Sequence, residues 1–333
     1  MNLKTFPKVE LHRHLEGALR FSTVLELARK AKMDVPAEPM QQRQQFLVET
    51  PMKDLGTVLN KFWATQSLLS SKEVIKRIAY EAVEDAYLEG IRLLELRYAP
   101  TFIQKNHEDL SFEDIHLAIL EGLKEAQKFP IGVGLICTFQ RTLPVQSSMK
   151  VLDFVLDTKN SWIGVDLADD EDGYPAKDFI ALFEKAKKNN LKITIHAGES
   201  NTQQSPLNVI DAIELLHADR IGHGLQIMKN KKALELVIQK QIPLELCPTS
   251  NWLTQAIADL KSHPIQDLIK KGVPVTLNSD DPGIFGINLT NEYQLLSASY
   301  SFTESDFKKA NTLAAQVSFI PDLIKKQYWT EAP

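Results

Sequence analysis

Cysteine is scarce in this sequence. Only Cys137 and Cys247 occur in 333 residues, far apart and both inside apolar runs. That excludes a disulfide framework and a cysteine-rich zinc site, and a reducing compartment is expected. Long apolar runs are missing too: none approaches the roughly 20 residues that span a bilayer. The first fifteen residues carry Lys4, Lys8, Glu10 and Arg13 around no apolar centre, so they do not read as a signal peptide. A cytoplasmic protein without membrane contact is expected. Positive charge is also short, since 38 Lys and Arg stand against 43 Asp and Glu. A net charge of −5 offers no basic face to nucleic acid. No repeat, charge block or Pro/Gly/Ser-rich linker marks a boundary, so residues 1–333 read as one domain.

What is present is a recurrent strand-then-helix pattern. Strands are expected at Val9–His14, Ile91–Tyr98, Ile131–Phe139, Trp162–Leu167, Leu191–His196, Asp219–His223, Ile242–Cys247 and Val273–Ser279. Helical spacing of apolar residues is clear at Phe179–Asn189, Pro206–Ala218 and Pro264–Lys271. Eight such units predict an α/β chain folded as a (β/α)8 TIM barrel. A doubly wound sheet is disfavoured, because His12-Arg-His14 stands where a Gly-rich phosphate turn would follow strand one. Strands one and two are unusually far apart, which predicts a helical insertion over roughly 20–85. Within it, Asp54–Leu69 reads as a helix with Leu55, Val58, Leu59 and Phe62 on one face. That face suits either packing on the barrel rim or a lid that excludes water.

Four strand ends carry metal-binding or proton-transferring residues: His12-Arg-His14, His196-Ala-Gly-Glu199, Gly222-His223-Gly224 and Asn278-Ser-Asp-Asp281. Residues two apart in a strand face the same way, so His12 and His14 present two imidazoles to one centre. With His196 and Asp280 they form a three-imidazole, one-carboxylate set suited to zinc. Strand four ends Gly164-Val-Asp-Leu-Ala168 and lacks a lysine that could bridge two metals, so one Zn2+ per chain is expected. His-Glu-x-x-His and Pro-Cys-x-x-Cys zinc patterns are absent. Around such a centre His223 can orient a water and take its proton, with Gly222 and Gly224 leaving room. Glu199 can act as an acid on the far side of the attacked carbon, and Asp281 can hydrogen-bond the substrate.

These strings, with Pro7-Lys-Val-Glu-Leu-His-Arg-His-Leu-Glu-Gly17, Arg220-Ile-Gly-His-Gly224, Leu246-Cys-Pro-Thr-Ser250 and Leu277-Asn-Ser-Asp-Asp-Pro282, closely resemble the adenosine deaminase family of the amidohydrolase superfamily. Ile75–Glu81 and Glu95–Tyr98 match as well, so the resemblance runs nearly end to end. It implies His12, His14, His196 and Asp280 as zinc ligands. Glu199 would be the proton donor to purine N1, His223 would position the water, and Asp281 would bond to N7. Ser250 would hold His223 from behind. The apolar helix with Leu55, Val58, Leu59 and Phe62 would serve as a lid. The implied substrate is a small purine nucleoside, adenosine or 2′-deoxyadenosine, deaminated in purine salvage. Adenine and aminofutalosine-type deamination, and more remotely another metal-dependent amide hydrolysis, are the alternatives. Two positions depart from the best-known animal members. Glu16 replaces an aspartate that contacts the ribose 5′-hydroxyl, and Asp169 replaces a glycine whose N–H contacts N3. Oligomeric state is left open.

Overall fold

The computed structural model describes residues 2–329, with the side chain of Leu55 outside the described set. Eight parallel strands follow one another in sequence order: β1 (Lys8–His14), β2 (Ile91–Tyr98), β3 (Gly132–Gln140), β4 (Gly164–Ala168), β5 (Ile193–Ala197), β6 (Arg220–His223), β7 (Leu244–Leu246) and β8 (Val275–Leu277). A bridge between Arg13 and Asp280 closes the sheet on itself. There the His14 amide donates to the Asp280 carbonyl at 3.0 Å, and the Asp280 amide donates to the His12 carbonyl at 2.9 Å. The fold is a (β/α)8 barrel. Its strands match the sequence expectation, with ends shifted by at most two residues and β2 unshifted.

Parallel strands wrapped by helices are buried on both faces, which favours continuous apolar runs. Hence β5 reads Ile-Thr-Ile-His-Ala, with every residue buried. The helices expected after β4, β5 and β7 form at Ile180–Lys188, Ser205–Glu214 and Ile265–Lys270. Because all strands run the same way, their C-terminal ends share one rim, and His12, His14, His196, His223 and Asp280 gather there.

The stretch between β1 and β2 is helical: Phe21–Lys30, Pro39–Phe46, Leu55–Leu59, Phe62–Gln66 and Lys72–Leu88. The single helix expected over Asp54–Leu69 is instead two short ones. Asp54 caps the first by accepting from the Thr57 amide at 2.8 Å. The Lys61 amide then bonds back to the Val58 carbonyl at 2.8 Å, a three-residue tightening that ends the helix. Gly56, Thr57 and Val58 are weak helix formers, so nothing local resists the break.

Candidate metal centre and active site

Three imidazoles and a carboxylate meet within the barrel mouth. His14 Nε2 lies 3.2 Å from His196 Nε2, and Asp280 Oδ1 lies 3.4 Å from His12 Nε2 and 3.5 Å from His14 Nε2. Donors about 2.0–2.2 Å from a shared tetrahedral ion would stand about 3.3–3.6 Å apart. The far nitrogens of two rings are already engaged: His12 Nδ1 is 2.7 Å from Glu245 Oε2, and His196 Nδ1 is 3.0 Å from Asp166 Oδ1. A carboxylate at Nδ1 accepts the Nδ1–H hydrogen bond, keeping the proton there and turning the Nε2 lone pair inward, the usual support of a metal-binding histidine. His12 Nε2 is buried without a hydrogen-bond partner. An orphaned lone pair of this kind fits a cation. A second grouping also exists, since one donor atom from each of His12, His196, His223 and Asp280 fall within 4.8 Å of one another. His14 and His223 therefore compete geometrically for one place.

Charge fills the barrel interior beneath this cluster, where branched apolar side chains usually pack. Glu245 accepts from Arg97 Nη2 at 2.8 Å, Arg220 Nε at 2.6 Å and Thr194 Oγ1 at 3.0 Å, besides facing His12. Arg97 also donates to Asp166 at 2.9 Å, and Arg220 is paired with Glu95. Burial pushes both carboxyls up, but Arg97 and Arg220 outweigh it at Glu245, and His196 and Arg97 outweigh it at Asp166. Both are held below the ordinary carboxylate range. Sequence reasoning missed this layer. Its signal was a charged residue in the middle of a wholly buried strand, as in Leu244-Glu-Leu246.

Glu199 lies in the turn after β5, well before the helix that starts at Ser205, so its carboxyl serves no helix N-terminus. Glu171 shapes that turn, accepting from the amides of Gly198, Glu199 and Ser200 at 2.7–2.9 Å. Thr254 donates to Glu199 Oε1 at 3.0 Å, and Oε2 stands 3.5 Å from His223 Nε2. Burial, with Asp280 and Glu171 nearby, pushes the Glu199 carboxyl up to about 8. Asp281 is also raised far above its ordinary value, by burial and by adjacent Asp280, and its Oδ1 has no partner. A β-carbon added at Gly17 would sit 1.7 Å from that oxygen, so the glycine is what admits the Asp281 side chain. One at Gly222 would meet the His12 ring at 2.9 Å. Both His223 (φ 61°) and Asp280 (φ 66°) adopt the left-handed backbone, strain of the kind that collects at functional sites.

The expected role of Ser250 is corrected. Its hydroxyl donates to Asp280 Oδ2 at 2.7 Å, and the side chain behind His223 is Asn251, whose Nδ2 is 3.1 Å from His223 Nδ1. Both residues belong to the helix Pro248–Leu253, where consecutive side chains point about 100° apart.

A cavity of about 700 Å³ opens above the cluster. His14, Glu16, Val58, Leu59, Phe62, Asp169, Glu199, His223, Asp280 and Asp281 all line it. Phe62 is not merely a rim residue. It packs with Val48, Val58, Leu253, Ile284 and Phe285 in a small core of its own. Glu16 follows the end of β1, and Oε1 accepts from the Ala99 amide at 2.6 Å while Oε2 is buried without a partner. Burial pushes its carboxyl up to about 7. Asp169 has φ 87°, a conformation that explains why glycine would be at home there. Its Oδ2 accepts from Thr142 Oγ1 at 2.5 Å, which draws the side chain towards the turn that follows β3. Lys105 is the one Lys or Arg among the described residues of the cavity wall, its ammonium 3.7 Å from the centre of the Trp63 ring.

Comparison with known proteins resolves what kind of site this is. The sequence profile described as Adenosine deaminase matches residues 7–331. The chain belongs to the adenosine deaminase family. It is accordingly a metal-dependent amidohydrolase, an enzyme acting on a C–N bond, with a buried three-histidine, one-aspartate metal site. An adenosine deaminase of Clostridium botulinum (strain Langeland / NCTC 10281 / Type F) is 35% identical over 98% of this chain and 97% of the relative. Among solved structures, an adenine deaminase from Arthrobacter aurescens has a TM-score of 0.87 at 25% identity, covering 98% of this chain and 99% of that one. A Burkhoderia ambifaria amidohydrolase with bound Zn gives 0.88 at 26% identity, covering 98% and 90%. An N6-methyl-AMP deaminase from Arabidopsis thaliana gives 0.84 at 28%, covering 98% and 96%. Family members thus act on bases, nucleosides and nucleotides, and the cavity wall must choose among them. No helix among the described residues is long and apolar enough to cross a membrane.

Proposed function

We propose that this enzyme hydrolytically deaminates adenosine and 2′-deoxyadenosine, giving inosine or 2′-deoxyinosine and ammonia, as a purine-salvage step with one zinc ion per chain. His12, His14, His196 and Asp280 would hold the zinc. When bound, a zinc ion lowers the pKa of a coordinated water towards about 7, supplying a nucleophile at neutral pH. The observation that carries the reading is Glu199, a carboxyl that burial and the neighbouring Asp280 and Glu171 push up to about 8, standing 3.5 Å from His223 at the edge of the histidine cluster. It stays protonated at neutral pH and can deliver that proton to N1 as water adds to C6. Asp281, likewise held protonated, donates to N7. The exocyclic amine leaves as ammonia, and the ring becomes a 6-oxopurine.

Nucleoside over nucleotide is supported by charge: Asp169 and Asp170 line the cavity, and the one ammonium among its described lining residues, Lys105, lies against the Trp63 ring. A 5′-phosphate would meet mostly like charge. Nucleoside over free base is supported by Glu16 Oε2, which has no protein partner. A buried oxygen left unsatisfied costs about 1–3 kcal/mol, which a ribose hydroxyl would offset. The test compares kcat/KM for adenosine, adenine and AMP, followed by loss of ultraviolet absorbance, in wild type and Glu16→Gln. Adenosine should lead by at least about tenfold, equivalent to about 1.4 kcal/mol. Adenine as the better substrate, with its turnover abolished in Glu16→Gln, would assign Glu16 to the base and overturn the nucleoside reading.

A further inference from the structure

His223 is held from behind by a relay that ends in a donor of unambiguous direction. The Ile265 amide donates to His263 Nδ1 at 3.2 Å. A ring nitrogen that accepts carries no proton, so His263 is the neutral tautomer with hydrogen on Nε2. Burial agrees, pushing its imidazole down to about 3. His263 Nε2 is 3.2 Å from Asn251 Oδ1, which must therefore be the amide oxygen. The amide nitrogen then faces His223 Nδ1 at 3.1 Å and donates to it. His223 consequently accepts at Nδ1 and carries its hydrogen on Nε2, the nitrogen 3.5 Å from Glu199 and 3.8 Å from Asp280. Asn251, His263 and His223 are all buried, so water does not scramble the order.

We propose that Asn251 and His263 are positioning residues that lock His223 as an Nε2–H donor, so that in the resting enzyme it directs the attacking oxygen by donating to it rather than by taking its proton. The proposal rests on the deaminase reading only for what His223 acts upon. It also separates the five-residue cluster into two kinds of histidine. His12 and His196 have carboxylates at Nδ1 and bare Nε2 atoms, the form that binds a cation. His223 has an amide donor at Nδ1 and a protonated Nε2, the form that does not. The place contested by His14 and His223 therefore goes to His14. The order of the relay also explains why an amide, rather than a carboxylate, follows Ser250. An aspartate at 251 would accept from both rings and turn the His223 lone pair towards the cluster.

The test is ¹⁵N NMR of the zinc-loaded full chain labelled at histidine, with the His223 signals identified by their loss in His223→Gln. Wild type should show a bare Nδ1 and a protonated Nε2 at His223, with no substrate present. In Asn251→Asp the two assignments should exchange. The kcat on whichever purine turns over should then fall by about 10²–10³-fold, the usual effect of losing one such donor, while KM changes little. His263→Ala frees the Asn251 amide and should lower kcat about tenfold, a smaller loss than removal of the donor itself. His263→Gln, which keeps a donor towards Asn251, should restore most of it. A wild-type His223 with the proton on Nδ1 overturns the proposal, as does an Asn251→Asp enzyme that folds and keeps kcat. Because the tautomer is read without substrate, failure of the adenosine assignment leaves this outcome independently legible.

Discussion

Replacing Glu245 with glutamine removes one negative charge and one acceptor from the densest knot of the molecule. Four donors converge on that carboxylate: His12 Nδ1 at 2.7 Å, Arg97 Nη2 at 2.8 Å, Arg220 Nε at 2.6 Å and Thr194 Oγ1 at 3.0 Å. Oε2 serves His12 and Arg97, while Oε1 serves Arg220 and Thr194. A glutamine must turn its NH2 towards one pair. Facing Arg220, it sets donor against guanidinium and leaves a buried cation with Glu95 as its one remaining carboxylate. Facing His12, it reverses the ring tautomer and removes the lone pair from Nε2. Breaking one partner of a buried ion pair costs about 3–5 kcal/mol. Losing the support of a metal-binding histidine typically weakens metal affinity about 10–100-fold. The expected variant is therefore destabilised by at least about 3 kcal/mol and binds zinc at least about tenfold more weakly. Urea titrations with and without metal, with chelator competition for zinc affinity, measure both. A variant with unchanged zinc affinity and a stability loss under about 1 kcal/mol would refute the claim that Glu245 orients His12, since that is the scale of an ordinary surface contact.

Glu199→Gln should keep its zinc and lose about 10²–10⁴ in turnover, the range for one proton donor; retention of more than about a tenth of wild-type rate moves the donor elsewhere. Phe62→Ser should raise KM about tenfold, a change of about 1.4 kcal/mol, and also lower stability by about 2–4 kcal/mol, somewhat less than a fully enclosed aromatic. Stability loss with unchanged KM would leave the segment as a packing element alone. Glu292 accepts from the Thr249 amide at 3.1 Å with Oε1 unpartnered, and burial pushes its carboxyl up to about 8 from an ordinary 4.5. Between those values the folded state binds more protons than the unfolded, so this group makes stability fall as pH rises, by about 1.4 kcal/mol per unit. Glu292→Gln should therefore gain on wild type by a few kcal/mol between pH 5 and pH 8, on the same scale; equal denaturation midpoints shifts at both values would sink that account.

Residues at strand ends were legible in the sequence because each breaks an apolar run with a group that has no reason to be buried. His12, His14, His196 and Asp280 announce themselves in that way, and the eight strands do so by their regular return. Arg97, Asp166 and Glu245 break their strands just as visibly. Their partners lie on other strands, however, and only the register of a closed barrel brings β2, β4 and β7 face to face. Ser250 and Asn251 are a finer case, since either can hydrogen-bond an imidazole and the choice depends on rotation about a six-residue helix. The break between the two short helices at 55–66 was hidden for another reason. The apolar spacing through Val58, Leu59 and Phe62 is helical on both sides of it, and hydrophobic periodicity does not register a single tightened turn.

The seam where Arg13 meets Asp280 has a consequence for how the enzyme is made. In the proposed metal site two donors come from the first strand and one from just beyond the last, and the backbone bonds closing the barrel run through those same residues. Chain synthesis at about 5–20 residues per second separates their appearance by roughly 13–54 s. During that interval the nascent protein holds two imidazoles near its start without the carboxylate that completes the set. A site that needs both the first strand and Asp280 is therefore complete only after residue 280 has been made, when the seam that closes the barrel can form.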